Sequence, residues 1–311
     1  MKNNKKPSIV IVSGPTAIGK TSVSIKLAQY FGGEIIGADA MQVYKYLNIG
    51  TAKPTEDEIS KCKHHLIDVV EPDEEFNASI YKKKASKVIE DLYNKNISPF
   101  VVGGTGLYIK ALTKGLFLEG SRNNEIAEKF DKELRDFGKV YLFEKLKKID
   151  PDSAKRIHIN DVYRIKRALE VYESTGETIT DLQKSHNFGD TFYNTFKIAL
   201  TMDREKLYER INFRVDLMIK QGLLDEVKRL LNSGYSSSLK SMQSIGYKHM
   251  CDFVEGRSSW DDAVETLKRD TRRYAKRQFT WFRKDSEFIW IEPDKIDSLL
   301  PQIKEFFGKG S

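Results

Sequence analysis

The chain has 311 residues, 31% charged and 40% hydrophobic, with a formal net charge of +7. That length buries a sizeable core as one large domain or two to three smaller ones, and the basic balance permits a polyanionic partner without demanding one. Cys62 and Cys251 are the two cysteines; they lie far apart without metal-ligand neighbours, which argues against a disulfide or zinc site.

The start, residues 1–6, is polar and basic, and the apolar run after it is too short for a signal peptide. No later run approaches about 20 apolar residues, so no membrane span is expected and a cytoplasmic enzyme is. Ile9-Val10-Ile11-Val12 reads as a buried strand. Gly14-Pro15-Thr16-Ala17-Ile18-Gly19-Lys20-Thr21 follows and matches the P-loop pattern G-x-x-x-x-G-K-[S/T] without a gap. Residues 22–28 then read as a helix, so the motif has the strand–turn–helix setting it needs. Loop amides and the first helical turn suit anionic oxygens, and Lys20 adds a point charge. Thr21 places a hydroxyl where a phosphate-bound Mg²⁺ would take it. The pattern predicts phosphate or pyrophosphate binding and leaves the reaction open.

Ile35-Ile36 predicts a short strand with Asp39 at its carboxyl end, the edge where parallel α/β sheets bind ligands. Residues 49–54 form a polar turn, residues 56–59 a short helix, and residues 64–70 a further strand stopped by Pro72. Residues 78–94 carry Ile80, Tyr81, Ala85, Val88, Ile89 and Leu92 at helical spacing. Residues 99–102 are a buried strand, followed by Gly103-Gly104-Thr105-Gly106 and a helix. Strand, glycine-rich turn and helix thus occur twice, the pattern of a doubly wound α/β domain. From about Gly115 the texture turns helical and charge-dense, through residues 125–150 and 152–175, the latter in two pieces. Residues 196–200 return to strand character. Residues 206–231 are helical with a break at Gly222, residues 246–249 and 261–281 continue the helical half, and residues 287–291 are a last strand before a final helix. The expected layout is a P-loop NTPase-like parallel sheet core over residues 1–115, a helical insertion domain over 116–195, and a return to the core with helical carboxyl part over 196–311.

Asp39 suits holding Mg²⁺, accepting a proton, binding a ribose, or capping the turn after it. Thr105 suits a phosphate or nucleobase contact and equally a helix N-cap. Arg210 and Arg214, four apart, share a helix face that suits clamping pyrophosphate, or a solvated face paired with Glu205, Glu209 or Asp216. Arg269, Arg272, Arg273, Lys276 and Arg277 fall on adjacent helical rows with Tyr274, Phe279 and Trp281 interleaved. That arrangement suits a nucleic-acid backbone, or a basic helix face over core aromatics. His64 and His65 point to opposite faces of a strand and are poor partners for one ion.

Taken together, the sequence resembles the bacterial tRNA dimethylallyltransferases. The matching pieces are residues 14–21, Asp39-Ala40-Met41-Gln42-Val43-Tyr44, residues 50–54, residues 64–68, Val102-Gly103-Gly104-Thr105-Gly106-Leu107-Tyr108, residues 160–164 with 167–170, residues 243–247 and residues 274–282. They span nearly the whole chain in the family's order. The resemblance implies transfer of the dimethylallyl group from dimethylallyl diphosphate to N6 of adenosine 37, beside the anticodon of tRNA. It implies that Asp39 accepts the N6 proton or holds the amine, and that Thr105 orients the reaction centre. Gly14, Pro15, Thr16, Ala17, Ile18, Gly19, Lys20, Thr21 and Arg214 would hold the diphosphate, with Thr21 on Mg²⁺. Gln42, Lys53, Arg164, Arg167, Gln243, Arg273, Lys276, Arg277 and Gln278 would contact the tRNA anticodon stem-loop. The P-loop would thus serve a prenyl diphosphate rather than ATP hydrolysis, although ATP binding is a label the family carries. A monomer without the carboxyl zinc-finger extension of eukaryotic relatives is expected.

Overall fold

The computed structural model describes residues 6–116, 123–185 and 191–310. The polar start at residues 1–5 lies outside them. The chain divides into two compact units, Met1–Thr113 with Thr191–Ser311, and Lys114–Asp190.

In the first unit, β1 (Ser8–Ser13) leads to α1 (Lys20–Tyr30), β2 (Gly33–Gly37), α2 (Glu56–Lys61), β3 (His64–His65), α3 (Ala78–Asn94), β4 (Ser98–Gly103) and α4 (Gly106–Lys114). The second unit holds α5 (Asn124–Ile149), α6 (Pro151–Arg156), α7 (Val162–Thr175) and α8 (Ile179–Ser185). The chain re-enters the first unit as β5 (Asn194–Leu200), α9 (Arg204–Lys220), α10 (Leu223–Asn232), α11 (Tyr247–Val254), α12 (Trp260–Phe282), β6 (Ile289–Ile291), a 3-10 helix (Pro293–Leu299) and α13 (Leu300–Gly310).

The strands form one parallel sheet of six in the order β3-β2-β4-β1-β5-β6. Both faces are covered, which is why the strands read as apolar runs rather than alternations. Ile9, Ile11, Ile36 and Val101 pack on one side with Tyr81, Ile89 and Leu112 of α3 and α4. Val10, Val12, Ile35 and Phe100 pack on the other with Val23, Leu27 and Ala28 of α1. The register pairs Ser13 with Gly103 and Gly37 with Val102. The carboxyl ends of β1, β4 and β2 therefore stand side by side, and the P-loop, the Gly103–Gly106 turn and Asp39 all leave from that edge.

The expected strand over residues 64–70 is shorter than the sequence suggests. Only His64 and His65 pair with β2, because Leu66 and Asp68 adopt left-handed backbone with φ of 61° and 55°. Val69 and Val70 instead bond the backbone at Val43. His64 Nδ1 lies 2.7 Å from the Cys62 carbonyl and His65 Nε2 2.5 Å from Glu34 Oε2, so both rings are engaged within the sheet edge. The break at Gly222 falls as expected, with φ of 95°.

In the second unit, Phe130, Leu142 and Leu146 of α5 pack on Ile165, Ala168 and Leu169 of α7. Gly138 interrupts α5 with φ 77° and ψ 174°, a break that the uninterrupted charge pattern of residues 125–150 does not reveal. Helix α8 lies within the region expected to be helical, although no separate element is read there from the sequence. Its signal is Thr178, whose hydroxyl accepts the Asp181 N–H at 3.0 Å as an N-terminal cap.

Candidate active site

After β1 the loop turns at Gly14 (φ 144°), where a Cβ would stand 3.0 Å from the Leu200 carbonyl oxygen. Ala17 (φ 63°) and Gly19 (φ 105°) are left-handed, so successive amides curl into a concave cradle. The cradle opens on a cavity of about 490 Å³ lined by Thr16, Ala17, Gly19, Lys20 and Thr21, with Asp39, Gln42, Arg210 and Arg214 facing them. Lys20 Nζ donates to the Gly14 and Pro15 carbonyls at 3.1 and 2.7 Å. Burial lowers the Lys20 pKa to about 7; Asp39 pulls it up and Arg214 pushes it down.

Asp39 Oδ1 accepts the Met41 N–H at 2.8 Å and the Gln42 N–H at 3.3 Å, so the carboxylate caps its own turn while also facing the cavity. Thr105 Oγ1 accepts the Ala40 N–H at 3.0 Å, and the Thr105 N–H donates to the Ala38 carbonyl at 3.1 Å. Thr105 thus ties the end of β4 to the segment carrying Asp39, and its hydroxyl is not spent on the start of α4. Burial comes first in lowering the Arg214 pKa, and Asp39 opposes it. Arg210 Nε donates to the Ala17 carbonyl at 3.1 Å. Asp216, an alternative partner for this pair, is bound by Lys268 at 2.8 Å. Both arginines line the P-loop cavity.

A second cavity of about 340 Å³ is lined by Met41, Ile211, Met218, Ile245 and Arg277. It shares Thr16, Asp39, Arg214 and Tyr274 with the first. The carboxylate stands where a cationic, amide-lined space meets a more apolar one. Desolvation raises the Tyr274 phenol pKa, and the Asp39 charge raises it further.

The second glycine-rich turn is shaped by α12. A Cβ at Gly104 would lie 2.1 Å from Gln278 Nε2, and one at Gly106 2.0 Å from Trp281 Nε1. Gln278 Oε1 accepts the Thr16 N–H at 2.8 Å, and its Nε2 donates to the Gly104 carbonyl at 3.0 Å.

The IPP transferase family model matches residues 42–285. A tRNA dimethylallyltransferase from Desulfosudis oleivorans is 48% identical over 98% of both chains. The chain belongs to the IPP transferase family. A tRNA dimethylallyltransferase from Geobacter metallireducens is 44% identical over 99% of this chain and the whole of that one. The crystal structure of the tRNA isopentenylpyrophosphate transferase from Bacillus halodurans superposes with a TM-score of 0.73 at 38% identity, covering 98% of each chain. A eukaryotic dimethylallyltransferase acting on tRNA superposes with a TM-score of 0.79 at 28% identity, over 96% of this chain and 77% of that one.

The residues that this family resemblance assigned to RNA fall into distinct environments. Gln42 lines the P-loop cavity and donates to the Thr51 and Ala52 carbonyls, each at 3.1 Å. Gln243 and Arg277 are exposed and line the apolar cavity. Arg273 and Lys276 are exposed on α12; Arg273 also pairs with Asp270 at 3.3 Å. Arg164 and Arg167 belong to the second unit, where they pair with Asp161 at 3.1 Å and Glu170 at 3.5 Å. Two of the residues are placed otherwise. Lys53 is an internal clamp: its side chain is 6% exposed, and its ammonium binds the Tyr44 carbonyl at 2.6 Å, Asn48 Oδ1 at 2.9 Å and Asp68. Gln278, 5% exposed, is the bridge between the two glycine-rich turns.

Glu226 was missed. It is 4% exposed and accepts the N–H groups of Asn48, Ile49 and Gly50, whose loop carries the cavity wall at Thr51 and Ala52. The available signal was its place among Leu223, Val227 and Leu230 on the buried face of α10. An acid on an apolar stripe needs partners, since burying an unpaired one is costly.

Proposed function

We propose that this protein transfers the dimethylallyl group of dimethylallyl diphosphate to N6 of adenosine 37 in the anticodon stem-loop of tRNA. The observation that carries the reading is Asp39 at the junction of the P-loop cavity and the more apolar one. The diphosphate sits against the loop amides, Lys20 and Arg214, and the allylic carbon reaches toward Asp39. The adenine, everted from the anticodon loop, where unstacking costs least, presents N6 from the other side. The allylic C–O bond breaks as N6–C forms. The electron pair stays on the diphosphate, whose growing charge meets fixed donors, and the N6 proton passes to Asp39. An exocyclic amine is a weak nucleophile, so alignment through Thr105 and Gln42 matters as much as the base.

Thr21 lines the cavity with Asp39 and Glu58, oxygen donors of the hard kind that Mg²⁺ takes. Thr21 would hold the ion, which supplies charge neutralisation for the leaving diphosphate. The exposed α12 cations Arg273, Lys276 and Arg277 suit the RNA backbone. We place the protein in the cytoplasm as a monomer, where tRNA is its partner.

Incubating the protein with dimethylallyl diphosphate, Mg²⁺ and unmodified tRNA, then digesting the RNA to nucleosides, tests the reading. N6-dimethylallyladenosine is the expected product. No product on tRNA, with prenylation of free AMP instead, would reassign the protein to adenylate modification.

A further inference from the structure

The P-loop cradle is not open along its whole length. Its amides run from Thr16 to Thr21, and Thr16 lies at the end shared with the apolar cavity. The Thr16 N–H is already taken by Gln278 Oε1 at 2.8 Å. The orientation of that amide is set from its other end, where Nε2 donates to the Gly104 carbonyl at 3.0 Å. Turning it over would set NH₂ against the Thr16 N–H and oxygen against the Gly104 carbonyl, two mismatches in a buried place. Gly104 leaves no slack, since even a Cβ there would meet Nε2 at 2.1 Å. At the point where the cradle turns toward Asp39, the wall therefore shows a carbonyl oxygen in place of an amide donor, and next to it a carboxylate. Arg214 is the cation at this junction, and it faces Asp39 there.

We infer that Gln278 sets the length of the anion the loop accepts. By occupying the Thr16 N–H it ends the row of donors after two phosphoryl groups. The group attached beyond the second phosphorus, on the side of Asp39, must then be uncharged, as an allylic carbon is. A third phosphoryl group in that place would meet the lone pairs of Gln278 Oε1 and the Asp39 carboxylate. Gln278 is a specificity-determining residue that keeps nucleoside triphosphates from competing with the diphosphate. This deepens the prenyl-diphosphate reading and rests on it.

The test compares inorganic pyrophosphate with tripolyphosphate by calorimetry in Mg²⁺ buffer, with no transfer reaction involved. The wild-type protein is expected to bind pyrophosphate at least about tenfold more tightly, the worth of roughly one good hydrogen bond. Gln278→Ala and the similarly sized Gln278→Met free the Thr16 amide and should narrow that ratio by about the same factor. A purely structural Gln278 would weaken both anions together and leave the ratio unmoved, which overturns the inference. So does equal binding of the two anions by the wild type, while leaving tRNA prenylation, assayed separately, intact. Binding of neither anion overturns it together with the P-loop reading. A measurement that needs no variant tracks backbone amide resonances in the wild type. On adding pyrophosphate, Lys20 and Thr21 should shift strongly and Thr16 little; a Thr16 shift as large as theirs would count against the assignment.

Discussion

The Tyr247 hydroxyl donates to the Glu226 carboxylate at 2.6 Å, and the pair holds the cavity wall from behind. Glu226 also accepts the Ile49 N–H at 3.0 Å, and the Tyr247 ring lies where a Cβ on Gly50 would stand, 2.4 Å from Cε2. Burial, and then the Glu226 charge, keeps the Tyr247 phenol protonated as a donor. The next carbonyls along, those of Thr51 and Ala52, receive the Gln42 side chain. Glu226→Gln is expected to destabilise by about 1–3 kcal/mol through the mispaired amides, and Glu226→Ala by more. Denaturant unfolding checks this, and Tyr247→Phe, which keeps the ring, should cost less than either.

Asp39 combines a charge with a turn cap, and two substitutions separate them. Asp39→Asn keeps an oxygen for the Met41 and Gln42 N–H groups. It should lower kcat by on the order of 10²–10⁴ with little change in melting temperature or tRNA affinity. Asp39→Ala should lower kcat similarly and lose about 1 kcal/mol of stability besides, because the cap goes too. An Asn variant with full activity would remove the proton-acceptor role.

Lys20 gives the site a pH dependence of definite sign. Burial has lowered its pKa to about 7, and a bound diphosphate favours the charged form, so binding takes up a proton above that pH. Affinity for dimethylallyl diphosphate should lose the Lys20 contribution progressively as pH rises through 7 and above, and keep it below. Lys20→Arg, which stays charged throughout, should show a flatter profile. Titrations of both proteins across pH 6 to 9 compare them on equal terms, because the ligand's own ionisation is common to both.

The α12 cations make a separate prediction. If Arg273 and Lys276 contact phosphates, replacing each by Ala should weaken all tRNAs alike and lower the slope of log K against log salt by about 0.7–0.9. Steady-state transfer at saturating tRNA should be unchanged. Equal salt slopes in wild type and variants would remove them from the RNA contact.

Gly106 is required by its neighbour rather than by its backbone angle. The Trp281 indole occupies the Cβ position at 2.0 Å. Gly106→Ala should cost about 1–3 kcal/mol as α12 is forced off the turn, measured by thermal or denaturant unfolding.

The phosphate loop, Asp39 at a strand end, the two strand–turn–helix units and the helix break at Gly222 were all legible along the chain. Each depends on local chemistry: β-branched runs, glycine spacing and helical periodicity act within about twenty residues. The sequence by itself therefore determined the class of fold and the glycine-rich cradle after the first strand. The tertiary structure decided which polar side chains are spent on the protein itself. Lys53 looks like a surface cation in its polar turn, yet its neighbours Tyr44, Asn48 and Asp68 enclose it. Gln278 lies within a basic, aromatic helix, yet it bonds a loop 262 positions away and a turn 174 positions away. Glu226 secures a segment 177 positions distant. No spacing rule reaches that far: a side chain's partner depends on the sheet order and on how helices cross its edge. The three-dimensional packing alone therefore distinguishes a residue that holds the site together from one that meets the substrate.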